Sequence, residues 1–155
     1  MNLATIKKLF LFFLSYCCFV SIVSANELVG LWKTIDDTTR QPKALIQIEE
    51  NSDHTLSGRI IKLFSQTNQP PAVLCTHCEG EKKNQPLIGM VILEHLKQSK
   101  ENEKAWINGQ ILDPKNGKNY HCNVQLLENG QKLQVRGYIG LPVFGRSQIW
   151  LKSQS

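Results

Sequence analysis

The stretch Leu133–Leu151, LQVRGYIGLPVFGRSQIWL, sets the architecture, because it reads as two β-strands meeting at a corner. Leu133, Val135, Gly137 and Ile139 alternate with Gln134, Arg136 and Tyr138. Val143, Gly145, Ser147, Ile149 and Leu151 then alternate with Phe144, Arg146, Gln148 and Trp150. A period of two marks a strand with one face against a core. Gly140-Leu141-Pro142 supplies the reversal, since glycine opens backbone conformations and proline withdraws an N–H. Two strands alone are marginal in water, so this pair needs a sheet from the rest of the chain.

The preceding segments supply that sheet. Glu128-Asn129-Gly130-Gln131 reads as a tight hairpin, and Tyr120, Cys122, Val124 and Leu126 line one face of the strand before it. Asp113-Pro114-Lys115-Asn116-Gly117 is a strong turn after a strand over Trp106–Leu112. Leu87–Leu96 is the most apolar run, and its β-branched Ile88, Val91 and Ile92 favour a strand over a buried helix. Further back lie His54–Phe64, with a bulge expected at Ile60-Ile61, then Ala44–Glu49, and Leu28–Ile35 closed by the turn-formers Asp36-Asp37-Thr38-Thr39. One connection is long. Ser65–Pro86 holds 22 residues, three prolines and Cys75-Thr76-His77-Cys78. Eight consecutive strands with mostly short turns predict an all-β, single, eight-stranded up-and-down antiparallel barrel with a long loop after the third strand. A sandwich is the alternative. Such an interior is either filled by side chains or just able to hold one small ligand.

The first residues carry an address. Lys7 and Lys8 precede an apolar run, Leu9–Val23, and Val23-Ser24-Ala25 offers small residues for cleavage. That run is shorter than the roughly 20 residues of a bilayer span. Residues 1–25 therefore read as a signal peptide and residues 26–155 as one domain, periplasmic or secreted. Membrane contact is expected only through the leader. Net charge falls from +5 to +3, since Lys7 and Lys8 are the only charges removed. The remaining basic residues are scattered among 13 acids, which gives nucleic-acid binding no support.

The blocks Gly30-Leu31-Trp32-Lys33-Thr34, Cys75–Gly80, Trp106–Pro114, Val135–Gly140 and Gly145–Trp150 resemble a bacterial family, domain of unknown function 2147. The resemblance spans about Leu28–Lys152 and implies an exported, calycin-like barrel similar to lipocalins, with no reaction attached. Gly30 and Trp32 are similar to the first-strand signature of lipocalins. There the tryptophan closes the barrel base beneath a late arginine, which makes Arg146 the expected partner of Trp32 here. The chain departs from a typical lipocalin in having no room after Lys152 for a C-terminal helix, and in carrying its long loop after the third strand.

Several residues are candidates for chemistry. Mature Cys75 and Cys78 are expected to form a disulfide in an oxidising compartment, leaving Cys122 as a buried free thiol. A zinc site drawing on Cys75, His77, Cys78 and Cys122 is the weaker rival, for there is no second CxxC. No catalytic set, metal site or cofactor is assigned. Arg136, Tyr138 and Arg146 could converge at a barrel end as an anion clamp, or else brace neighbouring strands and stack on Trp32 or Trp150. The function expected is binding of a small apolar or amphipathic molecule. The alternatives are a structural or interaction protein with a filled barrel and, behind it, an enzyme on a small substrate. Oligomeric state is not legible.

Overall fold

The computed structural model describes residues 26–65 and 70–154; the expected signal peptide lies outside the described residues. Eight strands follow one another: β1 (Gly30–Ile35), β2 (Pro42–Glu50), β3 (Leu56–Leu63), β4 (Val91–Gln98), β5 (Ala105–Asp113), β6 (Lys118–Leu127), β7 (Lys132–Tyr138) and β8 (Arg146–Ser153). Each pairs antiparallel with the next, and β8 returns to β1 through Leu31–Ser153 to Thr34–Trp150, closing the barrel. The expected meander forms, not the sandwich. Among the described residues there is no α-helix, only short 3-10 turns.

The turns follow from side chains that imitate backbone acceptors. Asp36 Oδ1 accepts the N–H groups of Thr38 and Thr39 at 2.9 and 2.8 Å, and Asp113 Oδ1 accepts that of Lys115 at 2.9 Å. Between β2 and β3, Asp53 Oδ1 takes the Thr55 hydroxyl at 2.7 Å and its N–H at 3.1 Å. The bulge expected at Ile60-Ile61 is present: Leu45 faces Lys62 while Ile46 faces Ile60, leaving Ile61 as the extra residue. Further irregularities fall where His95 in β4 and Asn108 in β5 adopt positive φ.

Two expectations needed correction, and one turn formed as expected. β4 starts at Val91 rather than Leu87, because Met90 donates back to the Leu87 carbonyl and Gly89 sits at φ +89°. The hairpin expected at Glu128–Gln131 forms, joining β6 to β7 with Asn129 and Gly130 at positive φ; Glu128 takes positive φ as well. Most consequential, Val143 and Phe144 are not in the last strand. Pro142–Phe144 is a 3-10 turn, and β8 begins only at Arg146. The period of two in β8 holds, but Trp150 points into the core while Ile149 and Leu151 face outward, since Trp150 is registered against Thr34 and buried Leu133.

The interior is densely filled. Trp32, Trp106 and Trp150 are all buried, together with Ile46, Ile48, Leu56, Leu93, Leu96 and Leu133. A Cβ added at Gly109 would lie 2.5 Å from Leu96 Cδ2, and one at Gly58 would meet Ile46 and Leu93 at 3.1 Å. At Gly109 the opposing Leu96 leaves no room for a side chain, and at Gly58 a Cβ would fit only if Ile46 or Leu93 gave way slightly, as close packing makes costly.

Candidate functional site

The two ends of the barrel differ. At one end the chain folds beneath the strands before β1 begins. Leu28 is fully buried, and the Trp32 indole N–H donates to its carbonyl at 2.8 Å. Gly30 takes φ +133°, a conformation that L side chains rarely adopt, which accounts for the glycine two residues before the tryptophan. The cation above Trp32 is Lys152, with Nζ 4.8 Å from the ring and donating to the Glu27 carbonyl at 2.9 Å. Arg146 is not that partner. It opens β8 at the opposite end, while Lys152, registered directly against Trp32, occupies the place. Gly30, Trp32 and Lys152 thus close the base.

Arg136, Tyr138 and Arg146 do not converge at the other, open end. Arg136 and Tyr138 lie in register with Ser147 and His121, whereas Arg146 opposes Gly137. The Arg136 guanidinium donates to the Pro142 carbonyl at 2.7 Å, the Val143 carbonyl at 3.1 Å and Ser147 Oγ at 3.0 Å, so it braces the β7–β8 loop. Tyr138 stacks beside His121, ring centroids 5.5 Å apart. Arg146 pairs with Asp37 of the β1–β2 turn, whose carboxylate also accepts from Gln148 at 3.1 Å. Arg136 thus takes the bracing role weighed in the sequence, but the stack on Trp32 expected with it is made by Lys152.

What the open end does assemble is a pocket against the long loop. Cys75 and Cys78 form the expected disulfide, and their loop rests on the β5–β6 turn. The contact is close. Gly117, at φ +72°, has the His77 carbonyl oxygen 1.8 Å from where a Cβ would stand, and Cys75 Sγ lies 3.8 Å from the Pro114 carbonyl. Backbone bonds from Cys75 to Gln85 and from Asn84 to Cys75, both 2.9 Å, tie the disulfide turn to the return of the loop. Beside this seam is a cleft of about 340 Å³, lined by the apolar Leu112 and Ile139 and by the polar Glu79, Lys118 and Asn119. Lys82 also borders it, but its ammonium is engaged with Glu94 at 3.3 Å and the Val91 carbonyl at 3.1 Å. Asn116, at the rim, donates to the Tyr120 hydroxyl at 2.9 Å. The sequence reading did not find this cleft. Its residues come from three separate segments, and each looks locally like an ordinary turn or strand position.

Cys122 is the free thiol, buried on the core side of β6, and burial pushes its pKa up to about 12. Two carboxyls are shifted the other way. Backbone hydrogen bonds from Thr39 and Thr38 lower Asp36, and the Thr55 hydroxyl and N–H lower Asp53. These three groups sit on different elements and form no cluster of the kind that marks acid–base chemistry. Among the described residues, no three His, Cys, Asp or Glu side chains gather as metal ligands, and no helix is long and apolar enough to cross a membrane. Buried Trp106 Nε1 and Trp150 Nε1 have no protein acceptor.

A closed eight-stranded meander with a GxW base places the protein in the lipocalin-like class of barrels. It is similar to a solved structure described as protein HP1028 from Helicobacter pylori, of the lipocalin family, with TM-score 0.68 and 18% identity over 83% of this chain and 84% of that one. Residues 30–152 match the family described as "Uncharacterized protein conserved in bacteria (DUF2147)", and the chain belongs to that family. No curated protein matches it.

Proposed function

We propose that the protein is an exported binding protein that takes a small amphipathic molecule at the open end of its barrel, in the cleft beside the disulfide loop, rather than inside the cup. The observation that carries this reading is the cleft itself, large enough for a small ligand and lined by the apolar Leu112 and Ile139 together with Lys118, Asn119 and Glu79. An apolar tail against Leu112 and Ile139 and an acidic head at Lys118, away from Glu79, would use both kinds of lining. Export rests on residues 1–25, whose basic start, short apolar run and Val23-Ser24-Ala25 fit a cleaved leader.

Native mass spectrometry of protein from its own host tests the reading. A retained small mass, lost in Lys118→Glu at unchanged melting temperature, is the expected result. A mass kept in full by Lys118→Glu would remove the cleft from consideration, and failure to bind added decanoate with no retained mass would remove the ligand. N-terminal sequencing that returned Met1 would overturn cleavage after Ala25. The second reading, a filled barrel acting as an interaction scaffold, is favoured by the absence of space for a Cβ at Gly109 and the tight contacts one would make at Gly58.

A further inference from the structure

The β7–β8 loop gives the cleft Ile139 alone, and the rest of its apolar side chains have no part in ligand binding. Between Tyr138 and Arg146 the sequence is Ile-Gly-Leu-Pro-Val-Phe-Gly, without a single charge. Its large side chains are turned out: Ile139, Leu141, Val143 and Phe144 are 68, 63, 71 and 81% exposed. Of ten large exposed hydrophobics among the described residues, seven lie at this end, the others there being Val73, Leu74 and Ile88 of the β3–β4 loop. Single exposed apolar residues are ordinary, but this concentration on one pole is not.

The loop is also built to hold that exposure. Arg136 donates to the Pro142 and Val143 carbonyls, while Phe144 N–H and Gly145 N–H donate to the Leu141 and Pro142 carbonyls at 3.1 and 3.0 Å. These bonds occupy the Leu141, Pro142 and Val143 carbonyls and the Phe144 and Gly145 N–H groups at the tip of the loop. They lower part of the cost of bringing the tip toward an apolar medium, where unpaired peptide groups are penalised heavily.

Charge supplies the partner. The described segments making up the open end, 36–43, 62–65, 70–91, 113–118 and 136–146, contain nine Lys or Arg against five Asp or Glu. Those at the closed end, 26–29, 49–56, 97–105, 127–133 and 152–154, contain five against seven. The apolar pole is thus the positive pole. We propose that the open end docks on an anionic bilayer surface, setting Leu141, Val143 and Phe144 below the headgroups with the surrounding cations at headgroup level. Two weak signals, an apolar tip and a basic surround, are the combination that holds a peripheral protein on such a surface. A protein partner would account for the apolar side chains, but it would not require the cationic surround. Val143 and Phe144 do not line the cleft, so the docking stands or falls separately from the ligand.

The test places a reporter on the loop of the protein as its host matures it. Phe144→Trp should shift its emission to the blue and be quenched by brominated lipid on phosphatidylglycerol-containing vesicles, while Glu101→Trp, at the opposite pole, should do neither. Val143→Ser with Phe144→Ser should lower cosedimentation with those vesicles at least tenfold at unchanged melting temperature, and 0.5 M salt should weaken the wild type. The proposal is overturned if emission from the Phe144→Trp variant ignores the vesicles, or by equal binding to neutral phosphatidylcholine. Concentration-dependent dimerisation that the double variant abolishes, without vesicle binding, would reassign the loop to self-association.

Discussion

The two poles of this barrel are built from the same kind of strand and do opposite things with it. At the closed pole, Trp32, Trp150, Leu133 and the underlying Leu28 are taken fully out of water, and Lys152 covers the seam. At the open pole, equally apolar residues stand in water while the polar groups around them are paired: Arg136 with loop carbonyls, Arg146 with Asp37. Hydrophobic burial is what stabilises a domain of this size, so truncating Trp32 removes more of it than truncating the exposed β7–β8 loop. The second pole is where recognition is proposed. An apolar residue's role is thus set by whether the backbone beneath it is paired with the sheet or with itself.

The largest contrast is a truncation at each pole. Trp32→Ala should cost about 3–5 kcal/mol and leave the domain unfolded or nearly so, against an ordinary stability of about 5–15 kcal/mol. Phe144→Ala should move the melting temperature by no more than a degree or two. Equal losses measured by urea denaturation would erase the distinction.

Glycines separate the poles further. Gly109→Ala drives a Cβ into buried Leu96 and should cost about 1–3 kcal/mol through overpacking. Gly140→Ala meets nothing within 4 Å, and its φ of +73° makes the cost one of backbone alone, about 1–2 kcal/mol. A second substitution, Leu96→Ala, should relieve part of the first cost and none of the second.

A pH effect belongs to the core. The Cys122 thiol is neutral in the fold up to about pH 12, while its ordinary value is 9.0. Because the folded value is raised, this contribution is complete below pH 9 and is lost as pH rises from 9 toward 12, by about 1.4 kcal/mol per unit at most. Thermal melts of wild type and Cys122→Ala at pH 8 and pH 10.5 should therefore converge at the higher pH. A constant difference between them would show the thiol already exposed.

The smallest expected effect is at the open pole. Arg146→Ala removes an exposed ion pair with Asp37 and should cost about 0–1 kcal/mol. A loss above about 3 kcal/mol would restore Arg146 to the closing role that Lys152 fills here.

Much of the barrel was legible because alternation and turn chemistry are local. Asp36, Asp53 and Asp113 announce their turns, the Ile60-Ile61 break marks a real bulge, and the compartment argument pairs Cys75 with Cys78. What was not legible depends on register between distant strands. Alternation alone cannot say which face of β8 points inward; Trp150 is placed by its neighbours Leu133 and Thr34. The assignment of Arg146 to Trp32 failed for the same reason, as did the strand reading of Val143 and Phe144, which the Arg136 guanidinium holds in a turn. The cleft had no local signal at all.

A filled core with recognition confined to the open pole makes a direct demand on the indole N–H resonances of Trp32, Trp106 and Trp150 in a ¹⁵N–¹H spectrum during titration with decanoate. Trp106 and Trp150 have no protein acceptor, so a ligand entering the cup would shift them first. Three unmoved indoles are predicted, with shifts confined to residues such as Leu112, Lys118, Asn119 and Ile139. Large shifts at Trp106 and Trp150, with the cleft residues still, would contradict the filled core.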